Sequence, residues 1–227
     1  MSNNKTQIKK ATKALLNELP DDVKLLAIAD GCSQAEVEAA LDAGVTHVGH
    51  SSIRNVEPMI HASDRSAIWH MTGHLKRRQV KKTVQLFEMV DRLDSWNLAK
   101  MLDRRGRKKG KIMSVLIEIR NNHKDHGTGI LLETLEKLIL RMGVLQFVRV
   151  EGLMTMGSRK DDPEKSRSLF RAMREAYDSL SDMNSTHTTM RYLSMGSSND
   201  YHVAIEEGAN LIRIGTKIFG KRQQRVP

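Results

Sequence analysis

The sequence predicts a (β/α)8 barrel of the TIM type, an α/β fold filling residues 1–227 as one domain, with an extra helix at its N-terminus. Three observations predict it. Eight short strand-like runs alternate with helical ones. Several runs are apolar on both faces, as Leu25-Leu26-Ala27-Ile28 is, which suits parallel strands covered by helices. The last strand is followed by only about a dozen residues, too few for a full eighth helix. Residues 5–19, helical in pattern with Ile8, Leu15, Leu16 and Leu19 on one side, can cover the gap beside the first strand.

Strands are expected at 24–29, 47–49, 67–71, 89–93, 112–119, 148–154, 191–194 and 211–214. Helices are expected at 34–43, 53–62, 75–86, 95–105, 131–142, 163–180 and 200–207. Ser33 and Glu36 have the spacing of a capping box, and Gly44 can close that helix in a left-handed turn. Asp162-Pro163 supplies an N-cap followed by a favoured first residue, and Gly208 ends the next-to-last element. The basic stretch at 106–110 reads as a mobile turn between barrel elements.

Composition narrows the function classes. No stretch reaches the ~20 apolar residues of a membrane span, and Met1–Lys10 lacks the apolar core of a signal peptide. The single cysteine, Cys32, rules out an intramolecular disulfide and fits a cytoplasmic protein; it reads as a small turn residue near the mouth of the barrel. The net charge is +10, concentrated in Lys76, Arg77, Arg78, Lys81 and Lys82 and again in Arg104, Arg105, Arg107, Lys108, Lys109 and Lys111. No aromatic residue interleaves with these runs, so nucleic acid is not expected. They read as solvated faces, with an acidic protein partner as the next reading.

Two short loops carry the chemical signal. Met195-Gly196-Ser197-Ser198-Asn199-Asp200 follows one apolar strand, and Gly215-Thr216 follows the next. Small residues, hydroxyls and backbone N–H groups at strand ends are how proteins hold phosphate, and two such loops can hold one phosphate between them. In a (β/α)8 barrel the functional residues gather at the C-terminal ends of the strands. That places Asp30, His50, His70, His74, Arg120, Thr155, the loop 194–198 and Arg213 to Thr216 around one mouth.

The sequence SMGxS followed by an acid, then xRIGTxIFG, resembles the C-terminal signature of the pyridoxal-phosphate homeostasis proteins, single-domain relatives of the alanine racemase N-terminal domain. Trp69-His70-Met71-Thr72-Gly73-His74-Leu75 resembles the family's WHxIGHLQ, and Gly152-Leu153-Met154-Thr155-Met156 its GLMTM. The resemblance runs in order from Val23 to Lys221. It implies that Ser194, Met195, Gly196, Ser197, Ser198, Gly215 and Thr216 form the phosphate side. It also implies that Arg213 lies against the pyridine nitrogen and that His70 and Asp30 line the cofactor site. An arginine beside that nitrogen keeps it unprotonated and weakens the electron sink that racemases need.

The chain departs from the family at the other end of the ligand. The lysine that links covalently to pyridoxal phosphate falls at Asp30, and a carboxylate cannot form an imine. The family's FGEN appears as Val48-Gly49-His50-Ser51, its asparagine after the fifth strand as Arg120, and its SKSG-type turn as His126-Gly127-Thr128-Gly129. Asp30 is expected in an ion pair with Arg54, Arg120 or Lys24. His50, His70, His74, His123 and His126 form no compact ligand spacing, so no metal is expected.

The leading expectation is therefore a diverged member of that family. It would act in vitamin B6 homeostasis as a non-catalytic, non-covalent binder of pyridoxal phosphate, another B6 phosphate or a related phosphorylated small molecule. The alternatives are an enzyme of different chemistry using Asp30, His50 and Arg120, or a pseudoenzyme subunit binding an acidic partner.

Overall fold

The computed structural model describes residues 2–63, 66–120, 128–157, 162–181 and 188–221. Eight parallel strands close into a barrel in sequence order. They are β1 (Lys24–Ile28), β2 (His47–His50), β3 (Ile68–Met71), β4 (Met89–Leu93), β5 (Met113–Ile119), β6 (Val148–Thr155), β7 (Thr188–Ser194) and β8 (Leu211–Ile214), and β8 pairs back onto β1. The helices are α1 (Ser2–Glu18), α2 (Gln34–Asp42), α3 (Ile53–Ala62), α4 (Val80–Leu86), α5 (Trp96–Lys109), α6 (Leu132–Met142), α7 (Arg167–Ser181), α8 (Tyr201–Glu206) and α9 (Thr216–Phe219). Short 3-10 turns at Arg77–Gln79 and Pro163–Ser166 lead into α4 and α7. Among the described residues no helix is long and apolar enough to cross a membrane.

Strand alternation sorts the side chains into two cores. Leu25, Ala27, Val48, Val90, Val115, Leu193, Ile212 and Ile214 face outward and pack under the helices. Leu26, Met89, Leu116, Met154 and Leu211 face inward and fill the barrel below the mouth. The same alternation therefore sends His70, Glu118, Arg120, Ser194 and Arg213 inward, above that apolar plug.

Local chemistry explains the element ends. Glu36 Oε2 accepts from both the backbone N–H (2.8 Å) and the hydroxyl (2.9 Å) of Ser33, which fastens the start of α2. Asp162 Oδ1 accepts from Glu164 N at 3.1 Å and starts the turn before α7. As far as residue 221, the chain after β8 forms one helical turn, α9, and α1 packs on both α2 and α9.

The basic stretch at 106–110 is not a turn. Residues 106–109 continue α5, which ends only at Gly110 with φ +67°. Gly106 lies inside the helix because a Cβ there would come within 2.5 Å of Lys111 O and 2.9 Å of Phe147 Cβ. It serves close packing, and the left-handed residue that stops the helix is the second glycine.

Candidate functional site

The strand ends form a polar ring above the plug. Six buried side-chain atoms have no hydrogen-bond partner among the described residues. Five of them lie on the barrel: His50 Nε2, Asp91 Oδ2, Arg120 Nε, Ser194 Oγ and Arg213 Nη1. An unmet buried donor or acceptor costs on the order of 1–3 kcal/mol, so five at one end of one barrel point to a polar ligand that completes them.

The side expected to hold phosphate is built by β7, β8 and the loops after them. Gly196 has φ +89°, and a Cβ there would stand 2.6 Å from Ala204 Cβ and 2.9 Å from Tyr201 Cα. Only glycine lets the loop turn this tightly over α8. Asp200, buried behind the loop, accepts from Ser197 N–H and Ser197 Oγ, both at 2.7 Å, while Ser166 Oγ donates to its other oxygen at 3.0 Å. Ser197 is thus held by Asp200, which leaves the partly buried Ser198 as the loop's available hydroxyl. Across from it, Thr216 is exposed at the start of α9, where Ile218 N–H and Phe219 N–H donate to Gly215 O and the N–H groups of Thr216 and Lys217 have no intrahelical acceptor. Met195 is fully buried in the outward core, so only its backbone can serve the loop.

The opposite side carries charge. Asp30 Oδ1 accepts from Ser51 N at 2.8 Å and from Ser51 Oγ at 2.7 Å, and lies 3.2 Å from His50 Nδ1. That last contact is not an ion pair. His50 Nδ1 accepts from the backbone N–H of Ser52 at 2.9 Å and carries no proton to share. Burial pushes the pKa of His50 down, against the pull of Asp30. The expected ion pair of Asp30 with Arg54, Arg120 or Lys24 does not form. Ser51, brought beside Asp30 by the β1–β2 pairing, supplies two donors at lower desolvation cost than a guanidinium.

A buried chain runs through the middle. His70 Nδ1 lies 2.8 Å from Asp91 Oδ1, and His70 Nε2 lies 2.9 Å from His47 Nδ1. Both ring nitrogens of His70 are therefore engaged inside the protein. Burial lowers the pKa of His47 to about 4, helped by His70 and Lys24 and opposed by Asp91, so His47 is neutral at neutral pH. Burial also pushes Arg213 below its ordinary range, with Asp91, Glu118 and Asp30 pulling the other way. Arg92 donates to Glu118 Oε1 from Nε at 3.0 Å and from Nη2 at 2.7 Å, and Thr128 closes the group.

Arg92 reaches this cluster because the β4 ladder shifts register between Val90 and Leu93. Both flanking residues face outward, and the irregularity turns consecutive residues Asp91 and Arg92 away from that face. Sequence reasoning missed His47, Asp91, Arg92 and Glu118, and gave Asp200 only as the acid that ends the loop motif. A charged residue inside a short apolar strand was the available signal for Asp91 and Glu118.

Other expected residues take local partners. His74 Nδ1 meets Asp94 at 3.1 Å, and Thr155 Oγ1 donates to Ile119 O at 2.8 Å. His123, His126 and Gly127 lie outside the described residues. Among the described residues no group of three or more His, Cys, Asp or Glu could hold a metal ion.

The family model described as "Alanine racemase, N-terminal domain" matches residues 6–223. A pyridoxal phosphate homeostasis protein of Aquifex aeolicus is 37% identical over 155 residues, 68% of this chain and 67% of its own. One of Synechocystis sp. is 29% identical over 210 residues, 92% of this chain and 95% of its own. Among solved structures, PipY of Synechococcus elongatus, determined with PLP bound, matches with a TM-score of 0.86 at 26% identity, covering 94% of this chain and all (100%) of that one.

Proposed function

Because the chain belongs to the alanine racemase N-terminal domain family, among the pyridoxal phosphate homeostasis proteins, we propose that it binds pyridoxal phosphate or a closely related B6 phosphate without a covalent bond. The observation that carries this reading is the ring of orphaned buried polar atoms at the C-terminal ends of the strands. Phosphate would sit between Ser198 and the Gly215-Thr216 turn, with Ser194 Oγ and backbone N–H groups as further donors. Arg213 would lie against the ring of the ligand. Asp30, which takes the place of the family's lysine, would face the 4-substituent.

Such a cofactor supplies an electron sink when bound. The residues of this chain bind and orient it and provide no amine at position 30. His50 and Asp30 do not form an acid–base relay, because His50 Nδ1 is already an acceptor. This favours binding over an enzyme built on Asp30, His50 and Arg120.

Equilibrium titration of the purified protein with pyridoxal, pyridoxamine and pyridoxine phosphates tests the reading. Saturable binding of at least one is expected. Borohydride treatment with pyridoxal phosphate should leave no stoichiometric pyridoxyl adduct on a lysine of the mouth. The double variant Ser198→Ala/Thr216→Ala should weaken binding on the order of 100-fold or more, since each hydrogen bond to a charged group contributes about 1.5–3 kcal/mol. Unchanged affinity would place the ligand elsewhere, and no binding of any B6 phosphate would end the proposal.

A further inference from the structure

The two basic runs of the sequence lie against one another. A groove of 730 Å³ opens between α5 and the segment formed by the 3-10 turn and α4, and its wall carries Lys76, Arg77, Arg78, Lys81, Arg104 and Arg105. None of these six forms an ion pair among the described residues. The nearby carboxylates are engaged elsewhere. Glu57 pairs with Lys82, and Asp94 meets His74. Glu88 accepts from Trp69 N, and Asp103 accepts from the N–H groups of Gln146 and Phe147. Folding does not require this concentration of charge. α4 and α5 already bury Val80, Val84, Leu98 and Leu102, and six like charges around one cavity repel each other.

We propose that this groove binds a compact oligophosphate anion, at a site separate from the barrel mouth. Four guanidinium groups offer the planar paired donors that fit phosphate oxygens, and two ammonium groups add charge. The volume lies within the range of small-ligand sites, roughly 300–1,000 Å³. No aromatic side chain lines the groove, so a nucleic acid strand would find no stacking platform. Val80 and Met101 are the apolar residues lining it, and the strands are closed into a barrel. An acidic peptide would therefore find neither side-chain pockets nor a free strand edge. The inference does not depend on what the mouth binds.

Calorimetric titration of the full chain with inorganic tripolyphosphate and with orthophosphate, at 0.05 M and 0.3 M salt, tests it. Tripolyphosphate should bind saturably, at least tenfold tighter than orthophosphate, and weaken with salt. Arg77→Ser/Arg78→Ser and Arg104→Ser/Arg105→Ser should each weaken it at least tenfold while leaving B6 phosphate affinity unchanged. The milder Arg104→Lys/Arg105→Lys variant keeps net charge and bulk, and should still lose several-fold if guanidinium geometry matters. The proposal is overturned if tripolyphosphate does not bind saturably. It is also overturned if Ser198→Ala/Thr216→Ala abolishes tripolyphosphate binding and the groove variants do not. Tighter binding of a glutamate decapeptide or of a single-stranded oligonucleotide at matched concentration overturns it as well.

Discussion

On the proposed reading Asp30 stands where the family carries its lysine, and Ser51 N–H and Oγ supply donors that suit a carboxylate there. All three close contacts fall on Oδ1, which leaves Oδ2 for an incoming group. An amine on the ligand is a better partner for a carboxylate than an aldehyde is. Pyridoxamine phosphate should therefore bind at least as tightly as pyridoxal phosphate. Asp30→Lys should reverse the order and give a borohydride-trapped pyridoxyl adduct at position 30, detectable by mass spectrometry. On the proposed reading Ser51 and Arg120 also differ from the family, so the adduct need not be stoichiometric. If the wild type prefers the aldehyde and Asp30→Asn binds it no differently, Asp30 has no part in choosing the ligand.

At the scale of elements, the loop between β7 and α8 depends on Gly196 and Asp200 more than on the serines that identify it. Gly196→Ala would strain the backbone at φ +89° and press on Ala204 and Tyr201. A loss on the order of 1–3 kcal/mol in stability is expected, with weaker B6 phosphate binding, by urea denaturation and titration. Equal stability and affinity in the variant would show that the loop adapts freely. The serines, the two glycines and the strand before them were legible in the sequence because small residues and hydroxyls cluster there at strand ends. The hold of Asp200 on Ser197 spans only three residues; what was not legible is that the carboxylate is buried and takes its further donor from Ser166 in a distant segment. The continuation of α5 through Gly106 was hidden for a similar reason. Glycine usually reads as a helix stop, and only the nearby Phe147 shows why a helix keeps one here.

For the whole molecule, the barrel and its direction followed from alternation and apolar runs, and the inward polar residues did not. A strand exposes its pattern locally, but the pairing of Asp91 with His70 and of His70 with His47 depends on how neighbouring strands align. That buried chain makes stability depend on pH. The unfolded chain takes up a proton at His47 near its ordinary pKa of 6.5, whereas the folded chain does so only near 4. Its contribution is fully present above about pH 6.5 and declines as pH falls toward 4, by on the order of 3 kcal/mol. His50, also pushed down by burial, acts in the same direction. Urea denaturation at pH 7 and pH 5 should show the loss, and His47→Gln should flatten it. Equal slopes in the two proteins would exclude His47 as the source.

Tyr201 has a consequence for how the protein is made. Its hydroxyl donates to Glu18 Oε1 at 2.7 Å, across 183 positions of sequence, and accepts from Lys217 Nζ at 3.0 Å. Helix α1 is synthesised before every strand of the barrel, yet two of the elements it is fastened to, α8 and α9, follow the seventh and the eighth. Closing so long a loop is slow, and it must wait for the end of the barrel to be synthesised. The loops proposed to hold phosphate are completed in the same event. On the proposed reading, a chain cut short before β8 lacks the Gly215-Thr216 turn and should not bind a B6 phosphate.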